Sequence, residues 1–268
     1  MTITIIDPAD RRLDDYRALN DQAFRRRYEG NETFIAEGYV AIDRLVESGH
    51  AIRSVLLAPT RIERFAHVDE LAAEGVPVYL ADRQVIADVV GFDLHRGVIA
   101  SAERRAHPSI DDVTSTARRL AVLEGLNDAE NLGAIARAAR AFGIDALVID
   151  PTCTDPYSRR TVRVSMGEVL TLPIARAEST EWPRISELLR SAGLVTWAMT
   201  PSPRADDLWT LDPPERLAAI LGAEGPGLGP ATMAGADRRV RIPIRTDVDS
   251  LNVGQAAAVT FAAITRSG

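Results

Sequence analysis

The sequence contains no lysine, so arginine supplies all 31 of its basic residues against 38 acidic ones. The formal net charge is −7, which argues against a protein that coats nucleic acid, because phosphate contacts require clustered positive charge. The missing lysine also excludes a Walker-type phosphate loop. Genomic base composition is the simpler explanation for the bias. Arginine nevertheless suits bidentate phosphate recognition and base stacking, so a local basic patch here would suit RNA.

The chain is also poor in cysteine, in histidine and in long apolar runs. Cys153 is its only cysteine, which excludes an intrachain disulfide and a cysteine-rich metal site and fits a reducing cytoplasm. No apolar run approaches the roughly 18 residues of a membrane span, and the first residues do not resemble a secretion signal. We therefore expect a cytoplasmic protein. We also expect no metal, because no histidine stands at metal-ligand spacing; the histidines are His50, His67, His95 and His107.

The order of apolar and polar segments predicts two α/β domains. A length of 268 residues with 46% hydrophobic and 26% charged residues is typical of a soluble protein with two domains. We predict a first domain over 1–106, a polar linker over 107–117 and a second domain over 118–268. Strands alternate with helices in the second domain, which predicts a mostly parallel sheet covered on both faces. The patterns also predict a helix over 14–27 and a strand over 169–174.

A first polar motif, Asn131-x-Gly133-x-x-x-Arg137, opens a predicted helix over 131–142 directly after a strand. Helical spacing places Gly133, Arg137 and Arg140 on the face opposite the buried stripe, which comprises Leu132, Ile135, Ala136, Ala139 and Phe142. The glycine lowers helix stability and leaves room for a ligand to approach. The alternative interpretation is that Asn131 caps the helix and both arginines are solvated.

A second motif places Gly222, Gly225, Gly227 and Gly229 around Glu224, directly after an apolar strand. Such glycines let the backbone approach a ligand closely, and open parallel sheets bind ligands at the carboxyl ends of their strands. The dinucleotide G-x-G-x-x-G pattern is not matched in the right context. The motif therefore indicates a ligand-binding turn, although a flexible surface loop is the alternative.

A third motif runs from Ile242-Pro243 to Ser250-Leu251-Asn252 at the start of a final helix predicted over 252–266. Serine and asparagine are good helix N-caps, so a capping role and a functional role are both consistent with the pattern. The alanine-rich helix that follows suits close packing against a neighbour, which could be a second subunit.

Together, in this order and spacing, the three motifs resemble those of the SpoU (TrmH-like) RNA ribose methyltransferases of the SPOUT superfamily. The resemblance covers the chain from about residue 120 onwards. The first half resembles, more loosely, the ribosomal-protein-like RNA-binding domain that precedes the catalytic domain in many members, chiefly through Phe34-x-x-Glu37-Gly38.

This resemblance implies a trefoil-knotted α/β sheet, an exception to unknotted topology, that binds S-adenosylmethionine in the loops of the knot. It further implies an RNA 2′-O-ribose methyltransferase that acts as a homodimer, with each active site completed at the subunit interface. The residues expected at the cofactor are Gly222, Gly225, Ile242, Leu251, Met199 and Thr200, with Ala198 nearby. The residues expected to be catalytic or to orient the reactants are Arg137, Asn131, Glu224, Ser250 and Asn252.

The resemblance also suggests how Arg137 acts and where RNA binds. The matching arginine is proposed to help deprotonate the 2′-hydroxyl, but a guanidinium holds its proton too tightly to be a good base. Stabilising the developing alkoxide, or binding the adjacent phosphate, is the easier role. Candidate phosphate contacts, each equally consistent with an ordinary solvated helix face, are Arg25, Arg26, Arg27, Arg140, Arg159, Arg160 and Arg163.

Three functions remain open at this point. The first is a ribose methyltransferase. Ribosomal RNA is preferred as its substrate over transfer RNA, because the first domain resembles a ribosomal protein. A second possibility is a catalytically silent RNA-binding protein with the same fold, against which the intact set of Asn131, Arg137, Glu224 and Asn252 argues. A third is an α/β enzyme that uses another nucleotide, against which the missing phosphate-loop lysine and dinucleotide motif argue.

Overall fold

The computed structural model describes residues 2–21, 32–94 and 97–266. The chain divides into two compact units, of which the first comprises Met1–Arg105 with Tyr157–Thr171, and the second comprises Ala106–Pro156 with Leu172–Gly268. The first break between the units lies between Arg105 and Ala106. The inclusion of the later segment in the first unit does not follow from the linear order of apolar and polar segments.

The first unit is a mixed five-stranded sheet with helices. Its strands are β1 (Thr2–Ile5), β2 (Thr33–Glu37), β3 (Ile52–Leu57), β4 (Val78–Ala81) and β5 (Val98–Glu103). Its helices are α1 (Tyr39–Ser48), α2 (Val68–Ala73), α3 (Arg83–Val90) and, from the later segment, α6 (Arg159–Val164), with 3-10 turns at Arg11–Tyr16, Pro59–Arg64 and Glu168–Leu170. The strand order is β1-β4-β3-β5-β2, with parallel pairing from β1 to β3 and antiparallel pairing from β3 to β2.

Two expectations about local structure in the first unit fail. The helix predicted over 14–27 is wrong at its start, because a 3-10 turn capped by the Asp10 side chain occupies Arg11–Tyr16, and residues 22–27 lie outside the described part. The strand predicted over 169–174 is also wrong. A left-handed Gly167 precedes the 3-10 turn there, and the next strand, Ile174–Arg176 of the second unit, begins only after Pro173, which has no N–H to donate to a ladder.

The second unit is a seven-stranded sheet in which every described strand pair is parallel. Its strands are β6 (Arg119–Glu124), β7 (Ala146–Ile149), β8 (Ile174–Arg176), β9 (Val195–Met199), β10 (Asp206–Asp207), β11 (Leu217–Gly222) and β12 (Arg238–Arg241). They are arranged in the order β10-β12-β9-β11-β6-β7-β8. Its helices are α4 (Ile110–Thr116), α5 (Ala129–Ala141), α7 (Ile185–Ser191), α8 (Pro230–Gly235) and α9 (Val253–Thr265), with 3-10 turns at Trp182–Arg184 and Leu208–Thr210.

Helix α4 lies within the segment for which the sequence predicts a linker. Ser109 and Asp112 form a reciprocal capping box at its first turn, and Ile110 and Val113 are buried in the core of the second unit. Polar side chains that suggest a linker therefore cap the first turn of a helix.

Helices α5 and α9 pack against each other through small residues. A Cβ atom on Gly254 of α9 would lie 3.2 Å from the Cβ of Ala134 on α5, and Gly133 is buried. The prediction that Gly133 shares the exposed face of Arg137 is therefore wrong. Phe142 is also wrongly assigned to the buried stripe, since α5 ends at Ala141 and Phe142 is 39% exposed.

None of the described helices is long and apolar enough to cross a membrane.

Candidate active site

A cavity of about 610 Å³ lies in the second unit at the carboxyl ends of β9 and β11. Its volume falls within the range of small-molecule sites, and its position is where open parallel sheets bind ligands. It is lined by Met199, Thr200, Pro201, Leu221, Gly222, Ala223, Glu224, Gly225, Gly227, Ile242, Ile244, Asp249, Ser250, Leu251, Asn252, Val253 and Ala256. The second and third sequence motifs thus meet at one cavity.

The glycine-rich turn after β11 needs glycine for two reasons, which are crowding at Gly222 and a left-handed backbone at Gly225 and Gly227. A Cβ atom on Gly222 would lie 2.4 Å from the carbonyl carbon of Gly227, nearer than real Cβ contacts allow. The Gly227 N–H donates to the Ala223 carbonyl at 3.0 Å, and Gly225 and Gly227 have φ angles of +85° and +69°. Glycine is needed there because this backbone path is left-handed and self-contacting.

Asn131, Glu224 and Asn252 form a hydrogen-bonded cluster at the edge of this cavity. Oε1 of Glu224 accepts hydrogen bonds from the side-chain amides of Asn131, at 3.3 Å, and of Asn252. The Asn252 amide also donates to Oδ1 of Asn131 at 2.9 Å. One residue from each motif therefore contributes to a single cluster.

Asn252 also caps helix α9, so the capping role predicted for the third motif is confirmed for this residue. Its Oδ1 accepts from the N–H groups of Gly254 at 2.9 Å and Gln255 at 3.2 Å, which leaves its side-chain amide free to donate to the cluster. The first backbone N–H of the helix, from Val253, points at Oε1 of Glu224 at 3.4 Å. The helix N-terminus and two amides thus hold this carboxylate by neutral donors.

Arg137 lies on α5 but does not line the cavity. Its side chain is exposed and makes no hydrogen bond or ion pair with other described residues. Arg137 follows Asn131 by six positions, or about 240° around a helix, so the two side chains point in different directions. Ala198 is likewise absent from the lining, because it is fully buried within β9.

The other arginines singled out for RNA occupy different environments. Arg25, Arg26 and Arg27 lie outside the described residues, and Arg140 and Arg160 are exposed. In the first unit, Nη1 of Arg159 lies 3.3 Å from Oε2 of Glu37, and Nη1 of Arg163 lies 3.8 Å from Oε1 of the same carboxylate. Since Glu37 is only 3% exposed, these two arginines compensate a buried charge.

Some residues around the cavity were not predicted. Pro201, Ala223, Ile244, Asp249, Val253 and Ala256 also line it. Of these, Ile244 and Asp249 stand inside the third motif, so they could have been chosen from it. Glu124, the last residue of β6, accepts a hydrogen bond from the Gly229 N–H at 3.3 Å and so fixes the end of the glycine-rich turn. A charged residue that ends a buried strand was the available signal.

Cys153 is not a candidate nucleophile. Burial raises the pKa of its thiol to about 12, and the neighbouring carboxylate of Asp150 acts in the same direction. The thiolate, which is the reactive form, is therefore scarce at neutral pH.

The residues around the cavity fit a ligand with an apolar ring and a polar tail. Leu221, Ile242, Ile244, Leu251 and Val253 supply an apolar wall, while the glycine-rich turn presents backbone groups and the cluster presents amide and carboxylate groups. S-adenosylmethionine, with an adenine ring, a ribose and a charged amino-acid tail, has this distribution of chemistry. When bound, it supplies a methyl group on a positively charged sulfur.

Comparison with known proteins identifies the family. A model of the SpoU rRNA methylase family matches residues 118–262, which include all three motifs. The chain belongs to the SpoU rRNA methylase family. A model for the substrate-binding domain of RNA 2′-O ribose methyltransferases also matches, over residues 35–108.

Relatives of this SpoU protein align over most of its length. An uncharacterized tRNA/rRNA methyltransferase of Mycobacterium tuberculosis is 43% identical over 270 residues, covering 98% of this chain and 92% of that protein. The 23S rRNA (guanosine-2′-O-)-methyltransferase RlmB of Escherichia coli is 27% identical in an alignment that covers 72% of this chain and 80% of that protein. An rRNA methyltransferase from Sinorhizobium meliloti, whose crystal structure contains S-adenosylmethionine (AdoMet), is 27% identical and superposes with a TM-score of 0.81. The superposition covers 99% of this chain and 98% of that chain.

These comparisons confirm the predicted class. The SpoU protein is an S-adenosylmethionine-dependent RNA 2′-O-methyltransferase with an α/β fold and a parallel sheet in its second unit, as the resemblance of its motifs implies. The trefoil knot, the homodimer and the individual site residues stay predictions.

Proposed function

We propose that this SpoU protein methylates one ribose 2′-hydroxyl of ribosomal RNA, with the cofactor in the cavity between the glycine-rich turn and the start of α9. The observation that carries this proposal is the cluster of Asn131, Glu224 and Asn252 at the edge of that cavity. Its hydrogen-bonding groups border the space in which a methyl donor and an acceptor would have to meet.

Within this proposal, the residues of the chain position the reactants. The apolar wall and the backbone of the glycine-rich turn hold the cofactor, with Gly222, Ile242 and Leu251 as its main contacts. Asn131 and Ser250 orient the target ribose, and Glu224 is the group of the cluster that can accept the hydroxyl proton. Proper placement of two reactants accounts for much of the rate enhancement in such transfers.

We further propose that Arg137 acts in a site completed by a second copy of the chain. Arg137 is exposed, does not line the cavity of its own subunit and makes no hydrogen bond or ion pair with other described residues, so it is available to a partner. Its guanidinium would bind the phosphate beside the target ribose or stabilise the developing alkoxide. The exposed Arg140, one turn further along α5, would add a phosphate contact.

Ribosomal RNA is the favoured substrate for two reasons. RlmB of Escherichia coli acts on 23S rRNA, and the Sinorhizobium meliloti structure is that of an rRNA methyltransferase. The first unit matches the substrate-binding domain model, which supports a role for it in choosing the RNA. The Mycobacterium tuberculosis relative carries both alternatives in its name, so transfer RNA is the second candidate.

Mapping 2′-O-methyl groups in ribosomal and transfer RNA from cells with and without the gene tests this proposal. We expect one ribosomal site to lose its methyl group in the deletion strain and to regain it with the wild-type gene. Loss of a site in transfer RNA would establish the second candidate. A protein that binds S-adenosylmethionine but changes no site would instead be a silent RNA-binding member of the family.

A further inference from the structure

The charges around the cavity are all of one sign. Among the described residues that line it, the charged ones are Glu224 and Asp249, and neither an arginine nor a histidine is among them. The other polar side chains of the lining, those of Thr200, Ser250 and Asn252, are neutral. An acidic cavity is unexpected for an enzyme whose RNA substrate is a polyanion, so the charge calls for an explanation in terms of the other ligand.

The two carboxylates differ in how far their charge is compensated. Glu224 accepts from two side-chain amides and from the first N–H of α9, whose helix dipole offsets part of its charge. Asp249 makes no hydrogen bond or ion pair with any other described residue. Two positions earlier, Asp247 is paired with Arg245 at 2.9 Å, so the loop carries one compensated and one uncompensated carboxylate.

We propose that Asp249, with a smaller contribution from Glu224, makes the cavity prefer S-adenosylmethionine over its demethylated product. This inference rests on the proposed function, which places the cofactor in this cavity. The methylated cofactor carries a sulfonium in addition to its zwitterionic tail, whereas S-adenosylhomocysteine has a neutral thioether. Nearby negative charge therefore attracts the methyl donor and not the product.

The consequence for turnover is that product release is favoured by the reaction itself. Once the sulfur loses its positive charge, the attraction of Asp249 disappears, and a fresh molecule of the donor competes better for the cavity. Asp249 thus acts as a specificity-determining residue. Because it is exposed, its effect is modest and is screened by salt.

Isothermal titration calorimetry with S-adenosylmethionine and S-adenosylhomocysteine tests the inference on the full-length protein. We expect the wild type to bind the donor more tightly, and Asp249→Asn to reduce that preference by about two- to fivefold, mainly through weaker donor binding. Asp249→Glu keeps the charge and should keep the preference. Asp212→Asn removes one exposed charge before the amino end of β11, away from the cavity, and should also leave the preference unchanged.

The ionic strength supplies a test that needs no variant. Raising the salt concentration should weaken donor binding by wild type more than product binding, and should narrow the difference between wild type and Asp249→Asn. Equal affinities for both ligands in the wild type, or an unchanged preference in Asp249→Asn, would overturn the inference while leaving the proposed function intact. A folded wild type that binds neither ligand would overturn both.

Discussion

The side-chain amide of Asn252 donates a hydrogen bond to Oδ1 of Asn131 at 2.9 Å, although the two residues stand 121 positions apart in the chain. Through this contact the start of α9 meets the start of α5, and both reach the same oxygen of Glu224. The helix start that the cap of Asn252 stabilises is therefore also the edge of the cavity.

The two roles of Asn252 can be separated by substitution. Asn252→Ser keeps a good N-cap but removes the amide that donates to Asn131 and Glu224, so its free energy of unfolding should stay within about 0.5 kcal/mol of wild type. Its methyl transfer should nevertheless fall by about tenfold or more. Asn252→Ala should lose both activity and about 1 kcal/mol of stability. Urea unfolding and a methylation assay check this, and full activity of Asn252→Ser would refute a role for the cluster.

Gly222 is needed for its lack of a side chain. In Gly222→Ala, the new Cβ would lie 2.4 Å from the Gly227 carbonyl carbon, so the turn must open and S-adenosylmethionine should bind about tenfold or more weakly. Gly143→Ala is the matched control, because a Cβ there meets nothing within 4 Å and introduces only the strain of its φ of +71°. The control should lose about 1 kcal/mol of stability and bind the cofactor normally. Equal cofactor affinities in the two variants would argue against this cavity as the site.

Arg159 should matter for stability through Glu37. The Glu37 carboxylate is only 3% exposed. In Arg159→Ala, the ion-pair partner that remains to it among the described residues is the more distant Arg163, at 3.8 Å. We expect a loss of about 2 kcal/mol in the free energy of unfolding. Adding Glu37→Gln should recover part of this loss, since the buried charge is then gone. If Arg159→Ala unfolds like wild type but binds RNA poorly, its main role is instead the RNA contact predicted from the sequence.

His50 should make the first unit sensitive to mild acid. Burial, and to a smaller extent Arg105, lowers the pKa of His50 from 6.5 to about 4, while Ser48 and Tyr157 contact its ring nitrogens. Between these values the unfolded chain binds a proton that the folded chain does not, so stability is complete above pH 6.5 and is lost as the pH falls towards 4. The loss attributable to His50 should reach about 3 kcal/mol at most.

Urea unfolding of wild type and His50→Gln at neutral pH and near pH 4 measures this contribution. The variant should lose less stability on acidification than wild type does. Identical losses in both proteins would assign the acid sensitivity to other groups.

The motif residues could be placed at one site from the sequence only through the family resemblance. Periodicity locates α5, β11 and α9, but it cannot bring Asn131, Glu224 and Asn252 together across long stretches of chain. The resemblance did so, and all six predicted cofactor residues line the cavity, as do Glu224, Ser250 and Asn252. What it could not supply was the burial of Gly133 and Ala198, which depends on the packing of neighbouring elements.

The basic residues were harder to interpret from the sequence, because arginine serves two purposes in this chain. Arg176 donates to the backbone carbonyls of Asp150, Cys153 and Thr154, and so fastens the loop after β7. Arg216 likewise donates to the carbonyls of Ala117 and Ala192. The guanidinium group can donate to several acceptors at once, so part of the arginine in a chain without lysine binds backbone carbonyls and stabilises the fold. Counts of arginine therefore overstate the charge available to RNA.

Two measurements on the same samples of wild type and Arg137→Ala test the separate roles of Arg137 and the cavity. These are the affinity for S-adenosylmethionine, by calorimetry, and the transfer of labelled methyl groups to ribosomal RNA. Because Arg137 is exposed and lies outside the cavity, we predict that the variant binds the cofactor as wild type does and transfers no methyl groups. A variant that loses cofactor binding as well, or one that methylates RNA at the wild-type rate, would contradict the assignment of the cavity to the cofactor and of Arg137 to the RNA.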